Sequence, residues 1–356
     1  MRVVKFKLGF LFVILFFANF FLIEGNAEDP TVTFDYLSDI DTGGAPFDVL
    51  IEGNVAYVSD YWDGLSSYDI SNASDPVLLD NYPLNLAHYF HIEGDYAYIA
   101  CWNYGYYIVN ISDPTNLTEV SNFDDGSLVG GTFVSNGIAL VTKTDGGVLI
   151  LNVTNPALPE KLAQYNATGT PNVVKILDNI AYVAYWESTG SRVVFLNITD
   201  PVNPVYIGEY SDIADTYDIH IKDNLLIMAN DVMGVFFIDI TDLENPIKIT
   251  EFNTPGISEG LETLDHYLFV GDGNTLITID FADFDNLQIV GSYDDTGLSQ
   301  KLHIINNYLF VCNYPKGLII YQFTIDEPTT SVTIYNVSIL ISVILLVFFS
   351  KNKRQK

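Results

Sequence analysis

A pattern of about 42 residues recurs seven times along the chain, and this repeat constrains the fold more than any single residue does. Each copy has two apolar strand segments joined by a turn with Gly, Asp or Asn, followed by an Asx-Ile-Ser/Thr segment and a proline turn. A four-stranded unit of this length cannot bury its faces alone, so it must stack against neighbouring units. The sequence therefore predicts an all-β, seven-bladed β-propeller. One recurring apolar position marks the seven copies: Tyr57, Tyr98, Leu140, Tyr182, Ile227, Phe269 and Phe310.

The first strand of each repeat alternates between core residues and residues that face the opposite way. Because the first strand of a propeller blade is innermost, that opposite side is the central channel. Histidine is a common metal ligand, but the histidines here lack the paired spacing of a metal site. We therefore expect a polar channel with no metal and no cofactor. Its expected lining is His91, Lys175, His220, Glu262 and His303, with Leu50 and Phe133 in the remaining repeats.

The two ends of the repeat region complement each other. The seventh repeat stops after its third strand, Leu318–Ile325, while Phe34–Ile40 has the pattern of a fourth strand with no repeat of its own. We expect one blade to be made from both termini, because this closes the ring without a covalent bond and leaves no exposed sheet edge. The propeller then occupies residues 28–327, which leaves no room for a second domain.

The segments outside the propeller predict export and membrane anchoring. Arg2, Lys5 and Lys7 precede an apolar run from Leu8 to Ile23, which is typical of a signal peptide over residues 1–27; an uncleaved anchor is the alternative. After a short stalk (328–331), residues 332–349 carry no charge and predict one transmembrane helix. The basic tail, residues 350–356, is expected in the cytoplasm. These features indicate a single-pass cell-membrane protein with its propeller outside the cytoplasm.

Charge and cysteine content exclude two further classes. The chain has a net charge of −30, which repels phosphate backbones and excludes nucleic acid as a partner. Cys101 and Cys312 lie in repeats two and seven, with repeat one between them, so a disulfide would have to cross a blade. We expect both thiols to be free and buried.

Several segments resemble a known repeat. Ala56–Asp60, Asp69–Ser71 and Asn197–Pro204 are similar to the LVIVD repeat, a propeller repeat of bacterial and archaeal surface proteins. The resemblance covers essentially the whole predicted propeller, and it is weakest in repeat six, where Asp280–Asp283 lacks the Ser/Thr and the proline. It implies the propeller fold and a cell-surface location, and it implies no activity and no catalytic residues.

Aromatic residues cluster in the loops between the second and third strands, which all open on one face of the disc. All three tryptophans are among them, and repeat four has a longer loop, Trp186–Ser191, on this face. Exposed rings among Asp and Asn side chains suit a sugar or a protein partner, although the same rings would also serve to cap the apolar blades. The predicted ligand-binding residues are Tyr61, Trp62, Trp102, Tyr104, Tyr185, Trp186 and Tyr314.

Six Asn-x-Ser/Thr sequons occur in the predicted propeller. Asn72, Asn116 and Asn166 lie in expected loops and are the glycosylation candidates. The other three occupy the position at which further repeats carry Asp, so we expect them to cap a turn through their side chains. These three are Asn110, Asn152 and Asn197.

No catalytic motif is present in the sequence. The aromatic face favours a cell-surface recognition or adhesion module that binds a glycan or a protein. One alternative is an extracytoplasmic metal-dependent hydrolase that uses the channel residues. A second alternative is a purely structural component of the cell envelope.

Overall fold

The computed structural model describes residues 21–26, 29–188, 190–295, 297–327 and 331–336. It divides into two compact units, Val32–Ile325 and a smaller one formed by the two ends of the chain. In the described residues all regular secondary structure is β, and no helix is present. The larger unit consists of seven four-stranded antiparallel sheets, which confirms the predicted seven-bladed propeller.

The blades are numbered along the chain, and their strands are given in sheet order from the innermost outward. Blade one has Pro46–Glu52, Val55–Asp60, Gly64–Asp69 and Val77–Tyr82; blade two has Phe90–Glu93, Tyr96–Ala100, Tyr106–Asn110 and Thr118–Phe123. Blade three has Val129–Ser135, Ile138–Lys143, Gly147–Asn152 and Glu160–Asn166; blade four has Thr170–Leu177, Ile180–Glu187, Gly190–Asn197 and Val205–Asp212. Blade five has Asp218–Lys222, Leu225–Ala229, Val235–Asp239 and Ile247–Phe252; blade six has Ser258–Leu264, Tyr267–Asp272, Thr275–Asp280 and Gln288–Asp294. Blade seven has Leu298–Ile305, Tyr308–Tyr314, Gly317–Asp326 and the N-terminal strand Thr31–Ile40.

The apolar core lies between successive blades. Phe195 of blade four and Phe236 of blade five are fully buried in one cluster. Val58 of blade one and Leu318 of blade seven share another. Second and third strands are apolar on both faces because each sheet packs against a neighbour on either side. Cys101 and Cys312 are free and buried in these clusters, as predicted.

Turn chemistry connects the strands as the sequence indicates. The hairpins between first and second strands have residues with positive φ, such as Gly53 at 61° and Asn136 at 53°, which suits tight turns. The predicted side-chain caps after the third strands are also present: each Asx Oδ1 accepts a hydrogen bond from the amide two residues later. The three sequon residues involved are Asn110 (2.9 Å from the nitrogen of Ser112), Asn152 (3.1 Å, Thr154) and Asn197 (2.9 Å, Thr199).

The N-terminal strand Thr31–Ile40 is hydrogen-bonded beside Gly317–Asp326 as the outermost strand of blade seven. Val32 is 4% exposed and packs in the cluster between blades six and seven. The ring of Phe34 stands edge-on to that of Phe269 in blade six, with centroids 6.1 Å apart. The strand therefore contacts two blades through its apolar side chains.

The smaller unit differs from what the sequence predicts for the C-terminal segment. Phe21–Asn26 pairs antiparallel with Ser331–Asn336, so residues 332–336 of the predicted transmembrane helix form a strand. The β-branched and aromatic residue types Val332, Thr333, Ile334 and Tyr335 favour this extended conformation. Within the described residues, no helix is long and apolar enough to cross a membrane. The rest of the predicted helix, the basic tail, and most of the predicted signal peptide and stalk lie outside the described residues.

Replacing Val32 with aspartate is expected to destabilise the propeller by about 3 kcal/mol, because a carboxylate at this buried position loses its hydration without gaining a partner. Thr33 lies on the opposite, exposed face of the same strand, so Thr33→Asp is the matched control and should change stability by less than about 0.5 kcal/mol. Urea unfolding followed by circular dichroism measures both. Equal stability of the two variants would mean that this strand does not pack in the folded protein.

Candidate functional site

The first-strand residues expected to face the channel surround a single cavity of about 210 Å³. The five polar residues lie around it together with the two apolar members of the same repeat position. The full set is Leu50, His91, Phe133, Lys175, His220, Glu262 and His303. Period-two alternation therefore locates the channel lining along the inner part of these strands.

A β-bulge near the start of the first strand adds residues that alternation does not find. In blade one, Pro46 pairs with Asp60 and Asp48 pairs with Ser59, so Phe47 is the extra residue. Equivalent register shifts occur in blades three, four, six and seven. A bulge re-aims consecutive side chains. The residue after the bulge, such as Asp48, lines the channel cavity, while the bulge residue lies at the channel mouth. The residues at this repeat position, including those of blades two and five, where no bulge occurs, are Phe47, His88, Gly130, Asn172, Tyr217, Glu259 and Gln300.

The part of the channel nearest its mouth contains a buried ion pair. Lys301 Nζ lies 2.5 Å from Asp218 Oδ1, and Lys301 also lies over the ring of Tyr89, 5.0 Å from its centroid. Burial disfavours the charge on Lys301, but Asp218 and Asp48 more than compensate and raise its pKa above the ordinary value. Burial raises the pKa of Asp48 to about 6, although Lys301 and Lys175 oppose this shift. Lys301 is therefore held as a cation and is not available as a nucleophile at neutral pH.

The part of the channel further from its mouth contains neutral imidazoles. Burial lowers the pKa values of His91, His220 and His303 to about 4. His220 Nε2 lies 2.9 Å from Thr263 Oγ1, and its Nδ1 lies 3.8 Å from Glu262 Oε1. Burial raises the pKa of Glu262 to about 7. Across the described residues, His, Cys, Asp and Glu side chains form no group of three that could hold a metal ion.

Above the channel, four of the predicted ligand-binding residues lie around one open cavity of about 420 Å³. Trp62 and Tyr314 are its most exposed rings, at 66% and 48%. We call this cavity the aromatic basin. It is lined by Tyr61, Trp62, Trp102 and Tyr314 together with Ala45, Phe47, His88 and Gln300, so blades one, two and seven all contribute to it.

The rings of the basin hold one another in place. Phe47 stacks on His88 with centroids 4.3 Å apart, and His88 stacks on Trp102 at 5.3 Å. Tyr61 meets Trp62 edge-on at 4.5 Å. Burial lowers the pKa of His88 to about 4, so this imidazole acts as a neutral flat ring in the stack. The basin is consequently a preformed aromatic surface.

Trp102 has an unusual backbone conformation, with φ at 40°. A bulky residue in the left-handed region costs about 1–2 kcal/mol. The equivalent residue of blade five is Asp231, also left-handed, with φ at 50°. Asp tolerates this conformation far better than Trp does. The chain therefore maintains a large ring at a position where a small polar residue would be more stable.

A second, more enclosed cavity of about 300 Å³ adjoins the basin and shares Trp102 and His88 with it. Trp186 and Tyr217 form part of its wall, with ring centroids 5.4 Å apart. Trp186 Nε1 donates a hydrogen bond to the backbone oxygen of Thr216 at 2.7 Å, which fixes the indole. We call this cavity the inner pocket. Its polar lining comes from Thr144, Thr170, Asn172, Glu259 and Gln300.

Two predicted ligand-binding residues lie elsewhere. Tyr185 is fully buried in the core, with the Arg192 guanidinium 5.1 Å from its ring centroid. Tyr185 lies three residues after the marker Tyr182, at a position that is also buried in other blades, as Asp60, Asn230 and Asp272 show. Tyr104 is 43% exposed and lines neither cavity. The glycosylation candidates Asn72, Asn116 and Asn166 are all exposed.

Sequence reasoning missed Phe47, His88, Tyr217 and Glu259. Each lies ten residues before the recurring apolar position that marks its repeat, so this constant distance could have identified them in the sequence. Alternation along the strand does not reveal it, because the bulge interrupts the alternation at this point.

The fold and the repeats define the class of protein: the chain is a seven-bladed β-propeller. It carries LVIVD repeats, which match residues 43–83, 87–125 and 255–295, in blades one, two and six. The match in blade six falls where the resemblance was expected to be weakest. No curated protein matches the chain.

Two solved structures show the same fold at very low sequence identity. The computationally designed Ika8 protein is 10% identical, with a TM-score of 0.62, over 82% of this chain and 99% of its own. The β-propeller domain of Cps50 (Swd1) from Myceliophteria thermophila is 11% identical, with a TM-score of 0.65, over 82% of this chain and 100% of its own. These similarities establish the architecture and carry no function.

Glu262 provides a test of the channel electrostatics. Its pKa rises from 4.5 to about 7 on folding, with Lys175, His220, Asp218 and Lys301 as charged or titratable neighbours. The contribution of Glu262 to the free energy of unfolding is fully present below the pKa of the unfolded state and is lost as the pH rises through the pKa of the folded state. The free energy of unfolding of Glu262→Gln, relative to that of the unsubstituted protein, should therefore increase by about 3 kcal/mol from about pH 4.5 to about pH 8. Urea unfolding at both pH values measures this change.

The matched control for this test is Glu52→Gln, at an exposed position on a first strand. It should show the same pH dependence as the unsubstituted protein. Parallel pH profiles for Glu262→Gln and the unsubstituted protein would contradict a raised Glu262 pKa.

Proposed function

We propose that this protein is a recognition module that binds a glycan or a protein ligand in the aromatic basin. The observation that carries the proposal is Trp102, a large ring in a left-handed backbone conformation that stacks on His88 and lines both cavities. Strain of this kind persists where a residue has a role other than stability. Ligand binding by the ring would provide that role.

The composition of the basin supports binding of a ligand with flat apolar faces. Clustered, preformed rings with a few polar groups are typical of ligand sites, and cavities of this size class hold small ligands or parts of larger ones. Sugar rings and peptide side chains both present C–H faces to aromatic rings while hydrogen-bonding at their edges. Gln300 and Asn172 line the cavities and could make such hydrogen bonds.

The channel supports catalysis less well than the basin supports binding. A metal-dependent hydrolase, the alternative function, needs several ligands in one coordination sphere, and the described residues contain no such group. Lys301 is already paired with Asp218. The buried charges of the channel are consistent with a polar interior of the fold.

We also propose that Thr31–Ile40 closes the ring by completing blade seven. The strand order and the contact of Phe34 with Phe269 support this arrangement. Closure would remove the exposed edge that Gly317–Asp326 would otherwise present. The loss of stability expected for Val32→Asp is what closure requires.

The acidic surface, the sequons and the apolar N-terminal run support display outside the cytoplasm. The third strand of blade seven, Gly317–Asp326, ends on the face opposite the basin and leads toward the predicted membrane segment, which supports an orientation with the basin facing away from the cell. On intact cells, an epitope tag at Ser188, which is exposed in the blade-four loop beside Trp186, is expected to bind antibody more than one at Asn116. Asn116 lies in a loop between third and fourth strands, at the opposite end of the blades. Equal or reversed labelling would refute this orientation.

Trp102→Asn tests the binding function, since asparagine accepts the left-handed conformation and removes the ring. Labelled protein applied to a glycan array and to cells, with or without protease treatment, should show binding that this variant weakens at least about tenfold, as the loss of one aromatic anchor costs more than 1 kcal/mol. Protease sensitivity separates a protein ligand from a glycan. Thermal unfolding should show equal or higher stability.

The matched control is Tyr206→Asn, which removes an exposed ring on the outer strand of blade four, away from both cavities. It should bind as the unsubstituted protein does. If Trp102→Asn also binds normally, the basin is not the ligand site.

A further inference from the structure

The inner pocket contains a carboxylate without a partner. Glu259 lies at the bulge position of blade six and lines this pocket. Among the described residues it has no hydrogen bond and no ion pair, whereas most other channel and mouth charges are engaged, as Lys301 is with Asp218. An unpaired, half-buried carboxylate loses hydration and gains nothing from the protein in return. A cationic ligand would supply the missing partner.

Other carboxylates near Glu259 add to the negative potential of the pocket. Ser258 N donates a hydrogen bond to the backbone oxygen of Asp231 at 3.0 Å, which brings Asp231 next to Glu259. Burial, and then the charge of Asp231, raise the pKa of Glu259. Asp231, Glu259 and Asp215 all act on Tyr217 in the pocket wall. The negative potential at this end of the channel therefore attracts cations.

The walls of the pocket are aromatic. Trp102, Trp186 and Tyr217 line it together with Phe47, His88 and Tyr89. Tryptophan and tyrosine faces attract cations through the ring quadrupole, most strongly where water is excluded. The neutral state of His88 adds no opposing positive charge. Rings and a carboxylate around one enclosed space form a combination that selects a cation with an apolar surface.

We propose that the inner pocket binds an alkylammonium group of the ligand, with Glu259 as its counter-ion and Trp102, Trp186 and Tyr217 as its aromatic enclosure. This inference rests on the proposed recognition function and specifies the chemistry of the group that enters the pocket. An anionic group would be repelled by Glu259 and Asp231. A neutral sugar would fit the open basin but would leave the Glu259 charge unpaired.

Choline and 3,3-dimethyl-1-butanol provide the test, because they have nearly the same shape and differ in charge. All three tryptophans of the chain lie in the basin or the inner pocket, so intrinsic tryptophan fluorescence of the purified full-length protein reports binding at constant ionic strength. Choline is expected to bind at least about tenfold more tightly than the neutral isostere. Glu259→Gln, which keeps the shape and removes the charge, should reduce that difference several-fold.

The controls separate this inference from the proposed function. Glu52→Gln removes an exposed carboxylate at the far end of a first strand and should retain the full preference for choline. Equal binding of the two probes, no saturable binding of choline, or an unchanged preference in Glu259→Gln would each overturn the ammonium site. The recognition function would stand in those cases if Trp102→Asn still weakened binding on arrays or cells, and would fall if it did not.

Discussion

Apolar packing between successive blades is the interaction on which the rest of this structure depends. Each sheet is apolar on both faces, so no blade is stable alone, and burial is complete only when every blade has two neighbours. The clusters that join blades four and five, and blades seven and one, show how this burial runs around the ring. Because the strands supply this stability, the loops at the channel mouth are free to carry Trp62 and Trp102 in positions that contribute little to it.

The bulge at the start of the first strands links this scaffold to the candidate site. It turns two consecutive residues toward the axis, so that Asp48-type residues enter the channel while Phe47-type residues surround its mouth. Repetition of the bulge in several blades converts one local irregularity into a ring of side chains. Because the blades carry different residues at this position, the ring is aromatic on one side and has the carboxylate of Glu259 on another.

The channel and its mouth differ in how their charged side chains are balanced. Within the channel, Lys301 and Asp218 neutralise each other, and burial keeps the histidines uncharged. At the mouth, Glu259 is unpaired among aromatic rings in the described part of the protein. A neutralised interior suits a scaffold, whereas an unbalanced charge in an enclosed pocket suits recognition. This contrast is the physical basis for proposing a binding site at the mouth and not in the channel.

The sequence alone determined the number of blades, the channel-facing ring that includes His91 and His303, and the turn caps, because all of these follow from periodicity and local hydrogen bonding. The tertiary structure decided which loop residues share a cavity. Phe47 and Glu259 reach the mouth because a bulge interrupts the alternation of their strands. Such features depend on strand pairing between distant residues, and no local pattern records where that pairing shifts its register.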